Sequence, residues 1–93
     1  MLQLSSRKNA AARSLSDLRL GEEAVLDHLE LGPEELQRMM ELGFLPGAVV
    51  AAARSAPGGD PRVYRVDGSE FALRRETASR LIVRPRGPDQ GQL

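Results

Sequence analysis

Apolar positions recur with two different periods along this chain, and the changes of period divide it into elements. Leu36, Met39 and Met40 fall three and four residues apart, the spacing of one buried helix face. Pro33 suits the first position of that helix, Gly32 stands as a weak N-cap, and Glu34 and Glu35 complement the helix dipole. Gly43 is placed to end the helix in a left-handed conformation, which folds Phe44 back onto Met39. Leu45, Pro46 and Gly47 then fit a type II turn, with proline second and glycine third, and residues 48–54 leave as a strand. Elsewhere the period is two. Over residues 22–31, Ala24 and Leu26 share one face while Leu29 and Leu31 share the other, so the phase slips at Asp27 and His28 and predicts a β-bulge. Residues 56–61 read as a loop, and residues 63–66 and 70–74 as strands joined by a hairpin turn at Asp67 and Gly68. Phe71 and Leu73 lie on one face of the second of these. Residues 77–80 make one helical turn and residues 81–84 a closing strand. Upstream, Ser14 or Ser16 caps a short turn in which Leu15, Leu18 and Leu20 pack before Gly21 redirects the backbone. The pattern predicts a mostly-β domain over residues 14–85, with five strands and one helix inserted between the first two. Residues 1–13 and 86–93 read as disordered tails.

Composition narrows what such a domain can do. With 93 residues, 41% hydrophobic and 28% charged, the chain builds one small core. No apolar run approaches the ~20 residues that a membrane-crossing helix needs, and residues 1–13 lack the apolar segment of a secretory signal. The absence of cysteine rules out disulfides and thiolate metal sites and fits a cytoplasmic protein. The net charge of zero conceals an asymmetry: residues 15–53 carry eight acids against two bases, residues 54–86 eight arginines against four acids. In a closed small barrel the halves interleave, so the asymmetry need not become two faces.

Catalytic groupings are missing. The one lysine, Lys8, lies outside any glycine-rich phosphate loop, so no nucleotide site or other cofactor site is expected. His28 is the sole histidine; beside Asp27, it could join Glu30 or Glu41 at a metal, but a surface strand histidine is the simpler reading. Met39 and Met40 belong to packing. Arginines 62, 65, 74, 75, 80, 84 and 86 could serve nucleic acid, yet only three aromatic residues accompany them and acids are spread among them. Protein docking has a more direct signal. Leu42 lies about 120° from Leu36 around the helix, and Leu45 sits at the tip of a proline turn. Leu42, Leu45 and Pro46 therefore make a candidate apolar contact patch, with Arg74 and Arg75 as candidate rim residues. The opposite possibility is that both leucines tuck under the barrel.

The run Met40, Glu41, Leu42, Gly43, Phe44, Leu45, Pro46, Gly47, with Val49 and Val50 after it, resembles the signature of the FeoA family of small bacterial ferrous iron transport proteins. Ala56, Pro57, Gly59, Asp60 and Pro61 resemble that family's second turn. Ala72, Leu73, Arg74, Arg75, Ala78, Ile82 and Val83 resemble its closing segment, so the likeness covers roughly residues 15–84. The resemblance implies a small SH3-like barrel and a non-enzymatic, cytoplasmic accessory that binds the cytosolic GTP-hydrolysing part of a FeoB-type iron permease. With one histidine and no cysteine, a dedicated iron-carrying site is not expected. Alternatives of other kinds are a barrel module related to the C-terminal domain of metal-dependent transcription repressors, a nucleic-acid-binding barrel, and self-association through exposed sheet edges.

Overall fold

The computed structural model describes residues 13–86. Six strands form one antiparallel sheet: β1 (Arg13–Ser14), β2 (Glu23–Leu29), β3 (Val49–Ser55), β4 (Arg62–Val66), β5 (Ser69–Leu73) and β6 (Leu81–Pro85). Their order across the sheet is β1-β6-β2-β3-β4-β5. A 3-10 turn (Leu15–Asp17) follows β1, the helix α1 (Pro33–Glu41) joins β2 to β3, and a single helical turn, α2 (Arg75–Ala78), joins β5 to β6.

This corrects the expected five-stranded barrel in three respects. A sixth strand, β1, comes before the others, so the helix lies between β2 and β3 instead of between the first two strands. The sheet is also not closed, since β1 and β5 are its two edges. Arg13 pairs with Val83 and Ser14 with Ile82. Two residues cannot display an alternating pattern, and Arg13 fell in a stretch read as tail. Apart from Arg13 and Arg86, the expected tails at residues 1–13 and 86–93 lie outside the described residues.

The sheet nevertheless rolls on itself. Tyr64 in β4 donates its hydroxyl to the Leu15 carbonyl at 3.2 Å, and Arg62 Nη1 donates to the Leu18 carbonyl. These bonds join β4 to the segment that follows β1, although the two strands are far apart in the sheet order. Inside the roll sit Leu15, Leu18, Leu26, Phe44, Val50, Ala52, Tyr64, Val66, Leu81 and Val83, all fully buried or nearly so. Leu20, expected to pack with Leu15 and Leu18, is exposed instead: Gly21 turns the chain immediately after it and bonds its N–H to the Ala52 carbonyl at 2.7 Å.

The predicted bulge is present. Leu26 pairs with Val83 and His28 with Ile82, leaving Asp27 unpaired, and this carries Leu29 and Leu31 round to pack against the core. A second bulge between Ala52 and Arg54 in β3 was not legible, because consecutive alanines show no phase. The hairpin turn takes positive φ at both central residues, Asp67 at 52° and Gly68 at 80°, as a type I′ turn requires.

Two side chains fasten β1. Arg13 forks onto Glu22 with bonds of 3.0 and 3.1 Å, and Asp17 accepts the Ser14 N–H at 2.9 Å. Hydrogen bonds from Arg13, then from the Arg19 backbone N–H, hold the Glu22 carboxyl down at about 2, below its ordinary value of 4.5. A carboxylate depressed in the folded state adds stability that is fully present above 4.5 and is lost as pH falls toward 2. Replacing Glu22 by Gln is expected to lower stability at pH 7 and to flatten its pH dependence between 4.5 and 2, read from urea midpoints across that window. At Gly43 a Cβ would meet Val66 Cγ1 at 3.9 Å, an ordinary contact, so the cost of a side chain there is the backbone's alone. Gly43→Ala should therefore destabilise by about 1–2 kcal/mol with an unchanged denaturant slope.

Candidate functional site

The apolar turn between α1 and β3 is built by capping. Leu42 closes the helix, and Gly43 at φ 111° lets its own N–H reach the Met40 carbonyl at 3.0 Å and the Phe44 N–H reach the Met39 carbonyl at 3.1 Å. These are the two bonds of a Schellman motif. Phe44 then points inward, fully buried with Met39 in one core cluster, and its ring lies tilted at 58° to that of Phe71 with centroids 5.7 Å apart. The type II turn follows, with Ala48 N–H on the Leu45 carbonyl at 2.9 Å and Gly47 at φ 95°. Two bonds pin it to β2: Gly47 N–H to the Leu26 carbonyl at 2.7 Å, and Leu26 N–H to the Ala48 carbonyl at 2.8 Å.

With Phe44 committed to the interior, its neighbours are turned out. Leu42 is 38% and Leu45 46% exposed, and Pro46 is exposed beside them. The alternative that both leucines tuck under the sheet is therefore excluded. The helix itself is only partly covered: Met39 is buried, while Leu36 and Met40 on the expected core face are half-buried.

Arg74 and Arg75 are exposed but do not rim this patch. Gly43 lies against Val66, which pairs with Ser69 at the turn end of the β4–β5 hairpin; the arginines follow Leu73, which pairs with Arg62 at the other end. Four strand steps separate the two ends, about 13 Å. The expected single site is thus two surfaces, and the strand register that separates them cannot be seen in residue spacing.

His28 is exposed, with Nδ1 2.7 Å from Asp27 Oδ2 and Nε2 3.0 Å from Glu30 Oε2. Hydrogen bonds to Asp27 first, and then to Glu30, raise the imidazole above its ordinary value of 6.5. Arg84 approaches the other Asp27 oxygen at 3.2 Å, and the Asp27 carboxyl is lowered chiefly by His28. Both ring nitrogens are engaged by carboxylates, and among the described residues no group of three or more His, Cys, Asp or Glu could hold a metal ion. On the outer face of the sheet Glu70 accepts from Arg54 at 2.8 Å and Arg65 at 2.9 Å, which hold its carboxyl low. Arg54 and Arg65 are thus paired with a carboxylate. No helix among the described residues is long and apolar enough to cross a membrane.

Comparison with known proteins agrees with this geometry. The family model of the FeoA domain matches residues 13–85. A fusion protein of Porphyromonas gingivalis, named as Fe(2+) transport protein A joined to the Fe(2+) transporter FeoB, is 35% identical over 69 residues, which is 74% of this chain. The chain spans only 8% of that relative's length. The solution structure of FeoA from Chlorobium tepidum superposes with a TM-score of 0.76 at 32% identity, covering 85% of this chain and 75% of that one. A Stenotrophomonas maltophilia FeoA complexed with zinc, described as an SH3 domain protein, gives 0.66 at 34% identity over 75% of this chain and 87% of that one. A manganese-dependent transcriptional repressor shares the fold alone, at 16% identity and a TM-score of 0.70 over 80% of this chain and 41% of its own. A family match across nearly all the described residues, on a mostly-β SH3-like sheet with one inserted helix, shows that the chain belongs to the FeoA family.

Proposed function

We propose that this chain is a non-enzymatic accessory of bacterial ferrous iron uptake. In this reading it acts in the cytoplasm, by docking the cytosolic GTP-hydrolysing part of a FeoB-type permease. The observation that carries the reading is the fusion: a segment 35% identical to this chain stands in one polypeptide with an Fe(2+) transporter FeoB. Joining two modules on one chain keeps them in one compartment and raises their effective concentration to the order of millimolar, enough for a modest interface to stay occupied.

The surface best suited to that contact is Leu42, Leu45 and Pro46. Of the three large hydrophobic side chains that remain exposed among the described residues, two are here, on a turn fixed by five backbone bonds. An ordered apolar turn loses little conformational entropy on binding, which is what makes a small patch effective. Arg74 and Arg75 contribute only if the partner reaches across the β4–β5 hairpin. A role as a regulatory domain like that of the manganese-dependent repressors rests on fold alone and is the weaker reading.

Replacing Leu45 by Asp is expected to weaken binding to the permease's cytosolic fragment by about 2 kcal/mol, roughly thirtyfold, with the far-ultraviolet circular dichroism unchanged. Leu20→Asp, equally exposed but outside the turn, should leave affinity within twofold of the parent. Calorimetric titration in the apo, GDP and GTP-analogue states measures both. Absence of association in every nucleotide state would overturn the docking proposal.

A further inference from the structure

A small cavity of about 100 Å³ opens at the end of the β4–β5 hairpin away from the apolar turn. Its walls carry Arg62, Arg75, Asp60, Tyr64 and Ser16, and Leu73 supplies an apolar floor. Arg62 is at the start of β4 and Arg75 opens α2. The register that places Arg62 opposite Leu73 brings these two guanidinium-bearing residues together from thirteen positions apart in sequence.

Of the other arginines, Arg13, Arg54, Arg65, Arg84 and Arg86 each meet a carboxylate, while Arg19, Arg38, Arg74 and Arg80 meet none among the described residues but lie outside the cavity. Arg62 and Arg75 meet none among the described residues. Arg62 is held from behind by the Leu18 carbonyl, which fixes one arm of its fork without neutralising it. Asp60 spends Oδ1 on the Arg75 backbone N–H at 3.0 Å, which anchors the mouth of the cavity. The Tyr64 hydroxyl is turned to Leu15, and burial pushes its phenol up, so it stays neutral.

We propose that this cavity binds a single carboxylate group presented by another protein, either an acidic side chain or a chain terminus. Two guanidinium groups against one aspartate leave one positive charge. A monoanion cancels it, whereas a phosphate dianion would overshoot and face Asp60. A planar guanidinium fork matches the geometry of a carboxylate. The volume admits the carboxylate with a methylene or two, which Leu73 can cover. The site is separate from the apolar turn and stands whether or not that turn docks a permease.

The test is a titration of the whole chain followed by amide chemical shifts, with four probes. N-acetyl-glutamate N-methylamide presents a side-chain carboxylate and N-acetyl-glycine a terminal one; N-acetyl-glutamine N-methylamide and inorganic phosphate are the controls. Saturable shifts at Asp60, Arg62, Leu73 and Arg75 with either carboxylate support the site, and the tighter of the two identifies the source. Arg75→Gln should weaken that binding about tenfold, and Arg74→Gln, outside the cavity, should not. Asp60→Asn retains an acceptor for the Arg75 N–H and should tighten carboxylate binding by roughly fourfold. A gain of affinity cannot arise from misfolding. The proposal fails if the glutamine analogue shifts the same amides, if phosphate binds more tightly than either carboxylate, or if no saturable shift appears by roughly 50 mM.

Discussion

Gly43 stands at φ 111° because the helix has to stop and its chain has to send an aromatic ring into the core within one residue. In that conformation the Phe44 N–H reaches back to Met39, and the ring falls between the helix end and Phe71. A residue with a Cβ would be strained there regardless of space, since the nearest neighbour leaves room. Everything at the exposed turn follows from this. Phe44 takes the inward direction, Leu42 and Leu45 on either side are left to solvent, and the two hydrogen bonds to Leu26 hold them still. The same residue that completes the core thus dictates which apolar groups a partner can meet.

What could be read from the sequence was local. The helix cap, the proline–glycine turn, the hairpin at Asp67 and the phase slip at Asp27 each depend on a few adjacent residues whose backbone preferences are strong, and each is found where expected. What could not be read depends on pairing at long range. Strand β1 exists only because Ile82 and Val83 lie alongside Arg13 and Ser14, and nothing in two residues announces a partner so distant. Leu20 looked like core by its spacing and is exposed because Gly21 turns the chain after it. The separation of Arg74 and Arg75 from the leucines is a matter of hairpin register. The approach of Arg75 to Arg62 and Asp60 has the same origin, which is why that cavity left no trace in residue spacing.

Charge is distributed with the same logic. The sequence halves differ in sign, but the sheet interleaves them, so Glu23 from the acidic half meets Arg86, and Asp27 meets Arg84. These exposed pairs are individually weak and act chiefly to neutralise the outer surface. Among the arginines left without a carboxylate partner, Arg62 and Arg75 are the two that meet at a concave shape.

The pairing of Arg13 with Val83 has a consequence for how such a domain can be joined to other polypeptide. Strands β1 and β6 are neighbours running in opposite senses, so the backbone enters and departs through the same doorway, side by side. A tether at either margin would leave from one corner and need not thread across the roll, nor would fastening one margin pull on the other. Such an arrangement suits a unit carried within a longer polypeptide, and the relative in Porphyromonas gingivalis is named as one part of such a fusion.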